Sequence, residues 1–301
     1  MREEKRIVKD FYDGFGWERN TDGTYRDTVA FVDVRPVLRE YYHKVYLRVK
    51  SFVAPQGEYF LDAGSGAIPH PEYMEYSAGY RRRVCVDLSL KALSEARAKL
   101  GGRGLYVMAD LTRLPFRERI FDATVCAHVL YHIPEDEQAS AVQELYRTLK
   151  PDASCVIIYG WRTSLATQLA SLAGLRAVLA RLRRLIARIP GTRFLWGRFR
   201  RPAAQDASRE GHGQPERPPL YFHPGDYQWF RQMLPEYWDT DIRCWRFADR
   251  AFTTTFVGDN VAGRLLLELL FKAETRFPHA MARVGKYPMI IIRKGDHDEL
   301  S

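Results

Sequence analysis

Phe60-Leu61-Asp62-Ala63-Gly64-Ser65-Gly66 is an apolar run that ends in an acid and a G-x-G turn. A backbone that must turn sharply and approach a ligand with no Cβ in the way requires glycine there. Asp62, just before the first glycine, is placed to hold a cationic amino-acid end and would repel a diphosphate. About twenty residues on, Val84-Cys85-Val86-Asp87-Leu88 ends a second apolar run in a carboxylate, where a ribose diol can donate two hydrogen bonds. His128, Tyr131 and His132 follow the run Ala123–Ala127 and could face a second reactant, histidine being able to take a proton near neutral pH. The competing reading is that these three only pack or shape a pocket. His128 and His132 also stand at i, i+4, but no H-E-x-x-H or carboxylate set completes a metal site, and no metal is expected.

These groups need a frame that brings strand ends together. From residue 59 to residue 160 short apolar runs alternate with helical stretches, the pattern of βαβ units in a parallel sheet. The spacing predicts strands at Tyr59–Leu61, Arg83–Val86, Leu105–Met108, Ala123–Ala127 and Ser154–Tyr159, with a short helix over Pro71–Tyr80 and a firmer one over Leu90–Leu100. A helix over Glu135–Leu149 is expected to stop at Lys150-Pro151-Asp152, the proline ending it and a turn feeding the strand. Upstream, two helices, Glu3–Phe11 and Pro36–Phe52, flank an aromatic link with Tyr12, Trp17 and Tyr25 that could cover the open end of the sheet. Downstream, Pro224–Leu234 and Gly263–Phe277 read as helices, and Tyr237–Phe247 and Tyr287–Ile292 as strands returning to the sheet. The expected fold is α/β: a Rossmann-like, doubly wound, mostly parallel seven-stranded sheet with an N-terminal helical cap (1–58) and a main α/β domain (59–301) carrying a helical insertion at 161–219.

Further along, Met108-Ala109-Asp110-Leu111 closes a third strand and Phe121-Asp122-Ala123-Thr124-Val125 announces a fourth. At this point the order and spacing resemble the class I S-adenosylmethionine-dependent methyltransferases, especially the broad type-11 group that includes quinone-biosynthesis enzymes. The resemblance covers residues 59–160 well and the rest in outline. It implies S-adenosylmethionine as cofactor, with Asp62, Gly64, Ser65 and Gly66 near the methionine part, Asp87 and Leu88 at the ribose, Asp110 with Leu111 at the adenine, and Cys126 and His128 flanking the sulfonium. It also implies methyl transfer to a small-molecule or lipid-like acceptor, with oxygen favoured on family breadth alone. The junction Leu149-Lys150-Pro151-Asp152-Ala153 departs from the family where many members have glycines, which affects turn geometry more than chemistry.

Two other readings compete. An NAD-dependent oxidoreductase is opposed by Pro69 in the slot of the third glycine of G-x-G-x-x-G. A non-catalytic, membrane- or partner-recruiting module with a relict cofactor pocket stays open, because no unmistakable base is present. Nucleic acid is disfavoured as acceptor: strand four lacks an Asn/Asp-Pro-Pro-aromatic loop, and Cys126 lacks a preceding proline.

The chain of 301 residues has a net charge of +9 and is 46% apolar, enough for a substantial core. Between Trp161 and Arg200 stand nine arginines, no lysine and no acid, so one patch accounts for the excess charge. Leu165, Leu172, Leu175, Leu179, Leu182 and Ile186 share one face of a helix expected over Thr163–Ile189, with Arg181, Arg184 and Arg188 opposite. Such a helix could lie on an anionic membrane surface through residues 163–200, which points to a lipid-linked acceptor, or could close on the protein itself. Residues 201–219 read as a loop. With no apolar run of eighteen residues and no h-region, the expected location is cytoplasmic, peripheral at most to the membrane. The four cysteines are scattered and suggest neither zinc nor disulfides. Oligomeric state stays open.

Overall fold

The computed structural model describes residues 1–172 and 218–295. Seven strands, β1 (Gly57–Ala63), β2 (Tyr80–Asp87), β3 (Gly104–Met108), β4 (Phe121–Ala127), β5 (Leu149–Ile158), β6 (Asp239–Arg246) and β7 (Tyr287–Arg293), form one sheet in the order β3-β2-β1-β4-β5-β7-β6. The first five are parallel, and β7 runs antiparallel to both neighbours. Because β7 lies antiparallel between β5 and β6, β6 points the same way as β1 to β5. All six therefore end on one rim. The strand order reverses between β1 and β4, the place where open α/β sheets bind ligands.

The carboxyl-terminal parts of β1, β4 and β5 and the middle of β7 are continuous runs of buried residues, as a sheet covered on both faces requires, whereas the edge strands β3 and β6 keep exposed or half-buried positions. Alternation sorts the side chains. Phe60, Ala123, Val125 and Ile291 join a core with Tyr41, Val45 and Leu267, from α3 (Arg39–Leu47) and α8 (Val261–Arg276). Leu61, Cys126, Ile157 and Ile290 join the opposite core with Val142 and Leu145 of α5 (Glu135–Thr148).

Helices α1 (Glu3–Phe11) and α4 (Leu90–Leu100) have the predicted bounds. Ser89 caps α4, its Oγ accepting from the Ala92 amide at 3.0 Å. The segment expected as one helix over 36–52 is a short α-helix, α3, between two 3₁₀ turns, and Pro71–Ser77 is 3₁₀ as well. Three short helices were not legible: α2 (Arg26–Phe31), α7 (Arg250–Phe256) and α9 (Pro278–Val284); α6 (Tyr227–Met233) lies within its predicted range. The junction before β5 corrects the expected turn. Helix α5 ends at Thr148 and the strand starts at once at Leu149, so Lys150-Pro151 are inside β5. A register shift against β4 between Phe121 and Ala123 absorbs the proline, and Asp152 takes φ 60°. Of the basic segment, a helix is described over 165–172; the remainder of the Thr163–Ile189 helix and most of the 201–219 loop lie outside the described residues.

One buried network ties the N-terminal helices to the sheet. Glu274 of α8 is 1% exposed. Its Oε1 accepts from the Tyr41 hydroxyl at 2.6 Å and the Phe247 amide at 2.8 Å, and Arg48 lies 3.0 Å from Oε2. Removing one partner of such a pair leaves the other charge uncompensated. Glu274→Ala is expected to lower unfolding stability by about 3 kcal/mol in urea titration, with the same denaturant slope.

Candidate active site

A cavity of about 810 Å³ opens at the carboxyl ends of the strands, within the size range of ligand sites. Its lining includes Asp62, Gly64, Ser65, Gly66, Asp87, Leu88, Asp110, Leu111, His128, Tyr131 and His132. Eleven of the twelve residues singled out from sequence therefore meet in one place. The exception is Cys126, whose side chain is fully buried in the opposite core and does not line the cavity. Strand alternation is the reason: Val125 and Ala127 face the cavity, so Cys126 faces away.

The glycine turn is crowded as well as left-handed. Gly64 has φ 72° and Gly66 φ 52°. A Cβ on Gly64 would lie 2.3 Å from Cγ2 of Val129, and one on Gly66 would lie 2.5 Å from Cζ2 of Trp17. Trp17 belongs to the N-terminal segment. Its ring stacks on Tyr12 at 5.2 Å and meets Tyr25 edge-on at 5.5 Å. Tyr12 and Trp17 line the cavity, whereas Tyr25 is buried behind it, hydrogen-bonded to Glu95. The link expected to cover the sheet's open end does so from a π-helical turn, Tyr12–Gly16, where Asp13 accepts from the Ser89 hydroxyl and its carbonyl accepts from Lys91 at 3.0 Å.

Each carboxylate has defined partners. Asp62 Oδ2 accepts from Nε of Arg83 at 3.0 Å, so this acid sits in a buried ion pair that the sequence did not reveal. Asp87 accepts amide hydrogens from Ser89 at 2.8 Å through Oδ1 and from Gly66 at 2.9 Å through Oδ2. Each oxygen keeps a second lone pair for a ligand hydroxyl. Burial pushes its pKa up to about 6 despite the two amides. Asp110 accepts from Lys5 of α1 at 2.6 Å and from Thr112. Burial alone would raise its pKa, but Lys5 and Thr112 outweigh it and hold the carboxyl below its ordinary value.

The histidines are poor proton acceptors. Burial, helped by the positive charge of Arg246, lowers His128 to about 3, and burial lowers His132 to about 4. His132 Nδ1 lies 2.7 Å from the Tyr221 carbonyl, which assigns the proton to Nδ1 and leaves Nε2 to accept from the Tyr12 hydroxyl at 3.4 Å. Burial raises Tyr131 well above the usual phenol range, so its hydroxyl keeps its proton. His128 itself has φ 64°, a left-handed conformation uncommon for a residue with a Cβ.

After the glycine turn the chain enters a 3₁₀ segment, with Ile68 at φ 50°, and not the α-helix whose N-terminus holds a pyrophosphate in dinucleotide sites. The family model described as a methyltransferase domain matches residues 61–157. A ubiquinone/menaquinone biosynthesis C-methyltransferase from Desulfotalea psychrophila is 33% identical over 73 residues, 24% of this chain. The chain spans 29% of the length of that curated relative. Among solved structures, a phosphoethanolamine N-methyltransferase from Haemonchus contortus superposes with a TM-score of 0.53 at 10% identity, covering 99% of this chain and 51% of that one. A [4+2]-cyclase, SpnF, superposes with a TM-score of 0.50 at 14% identity, covering 96% and 92%. The sheet thus has the Rossmann-like fold of these proteins. Residues 61–157 carry a domain of the class I S-adenosylmethionine-dependent methyltransferases, and within that class the matched model is the general methyltransferase domain.

The contact between Trp17 and Gly66 can be checked by a double-mutant cycle. Gly66→Ala is expected to lower stability by about 1–3 kcal/mol in thermal unfolding. In a Trp17→Ala background the same change should cost measurably less, because the clash is gone.

Proposed function

We propose that the protein transfers a methyl group from S-adenosylmethionine to a small-molecule or lipid-like acceptor. The carrying observation is the convergence of the Gly64–Gly66 turn, Asp87 and Asp110 on one cavity at the switch point of the sheet. The cofactor supplies a methyl group already activated on a sulfonium. The protein has to bind it, align an acceptor and exclude water. Asp87 would hold the ribose hydroxyls and Asp110 with Leu111 the adenine, while Asp62, with Arg83 at its side, would meet the charged methionine end. Tyr12 and Trp17 would close the site from above.

His128, Tyr131 and His132 would shape the acceptor side. The depressed histidine basicity favours positioning over proton removal: a group that titrates near 3 or 4 is a weak base at neutral pH. Acceptor oxygen, favoured on family breadth, stays part of the proposal. A [4+2]-cyclase on this fold shows that the fold alone does not set the reaction.

Calorimetric titration with S-adenosylmethionine, S-adenosylhomocysteine and NAD tests the cofactor. Micromolar binding of the two sulfur ligands and none of NAD is expected, with loss in Asp87→Ala; absence of binding by either sulfur ligand overturns the reading. The diol requires an ionised Asp87. With its pKa at about 6, affinity should be level above pH 7 and about tenfold weaker at pH 5. A pH-independent affinity would remove Asp87 from the diol.

A membrane contact through residues 163–200 is the second part of the proposal. It is supported by Leu165, Leu169 and Leu172, which are 43%, 37% and 62% exposed. No helix among the described residues is long and apolar enough to cross a membrane, so the contact would be at the surface. Deleting 163–219 should reduce co-sedimentation with anionic vesicles and leave cofactor affinity intact; equal sedimentation of both forms would remove the membrane contact.

A further inference from the structure

Arg246, at the end of β6, lines the same cavity and is 3% exposed. Among the described residues no carboxylate lies within ion-pair distance of it, and its Nε and Nη1 have no hydrogen-bond acceptor. The rings of Tyr287, Tyr42 and Trp245 lie 4.5, 4.9 and 5.3 Å from the guanidinium carbon. Cation–π contact offsets part of the cost of burial but leaves those N–H donors unused. A buried guanidinium cannot shed its proton, so it needs an anion or a full set of acceptors.

The acids nearby are engaged elsewhere. Asp249, which also lines the cavity, accepts from the Phe252 amide at 2.8 Å and the Thr167 hydroxyl at 2.8 Å. Asp62 is taken by Arg83, and Glu274 by Tyr41, the Phe247 amide and Arg48. The strand is also shaped to aim this side chain. β6 slips register against β7 between Cys244 and Arg246, the kind of irregularity that redirects a residue at a strand end. Trp245 and Tyr287 then carry the cluster to His128, with ring centroids 5.0 and 5.4 Å away. Arg246 thus belongs to the acceptor side, beyond the histidine and away from Asp87 and Asp110.

We infer that Arg246 binds an oxyanion, a carboxylate or a phosphate, carried by the methyl acceptor, and that it selects acidic acceptors over neutral ones. This inference rests on the methyl-transfer reading for the word acceptor; oxyanion binding can be measured without it. The walls of this region, Tyr46, Tyr73, Tyr131, Trp245 and Tyr287, are aromatic, so aromatic fragments suit it as probes.

The protein, with and without S-adenosylhomocysteine, is titrated with benzoate, phenyl phosphate and neutral benzamide at constant ionic strength. At least one of the two anions should bind about tenfold or more tightly than benzamide, a charge-assisted pair in a desolvated site being worth about that factor. The tighter anion assigns the group as carboxylate or phosphate. In Arg246→Met the preference should collapse, and in Arg246→Lys it should be partly kept. Benzamide binding as tightly as both anions, no anion binding at millimolar concentration, or a preference that survives Arg246→Met overturns the inference. S-adenosylhomocysteine affinity, measured on the same samples, reports folding of the variants. If the methionine variant does not fold, the wild-type preference and the lysine variant still decide. Anion preference without S-adenosylhomocysteine binding would sink the methyl-transfer reading and leave the oxyanion site standing.

Discussion

The turn between β1 and the rest of the chain can be made only by glycine, and the crowding around it organises much of the molecule. Val129, after β4, fills the space a Cβ on Gly64 would need, and Trp17, from the N-terminal segment, fills that of Gly66. One tight turn therefore fixes the approach of β4's following loop and the seat of the cap. From Trp17 the contacts spread through Tyr12 to His132 and through Tyr25 to α4. A substitution that disturbs the turn reaches both the roof and the floor of the cavity.

Charge is distributed around the rim by the same economy of partners. Lys5 answers Asp110, Arg83 answers Asp62, and Asp87 is answered by two backbone amides. Each of these three carboxylates is therefore partnered within the protein, which is what burying a carboxylate requires. On the other side the pattern inverts. Arg246 is surrounded by rings and, among the described residues, has no carboxylate within ion-pair distance, which leaves a local positive charge beside the neutral His128. Carboxylates at the ends of β1 and β2 and a guanidinium at the end of β6 put opposite charges at different places in one cavity.

The methyltransferase-domain match ends at residue 157, before Trp245, Arg246 and Tyr287 enter the site. That match covers the Gly64–Gly66 turn, Asp87 and Asp110. Much of the remaining cavity lining comes from β6, β7 and the N-terminal helices. A shared fold does not by itself set a shared chemistry.

Local order was legible in the chain itself: apolar runs of strand length, Ser89 before a helical repeat, a G-x-G turn, and an acid at the end of each of three strands. All seven strands and the cavity-lining residues Asp62, Gly64, Gly66, Asp87 and Asp110 follow from signals of that kind, since period and turn chemistry are properties of neighbours in sequence. Cys126 went astray because a one-residue step along a strand reverses the face, and only the completed sheet says which face is the core. The partners Lys5 to Asp110 and Arg83 to Asp62, the seat of Trp17 on Gly66, and the isolation of Arg246 were decided by tertiary structure alone. They join residues as far as 105 positions apart or depend on what fails to come near. Hydrophobic periodicity encodes which elements form, but the pairing of charges follows from where a folded chain finally sets them.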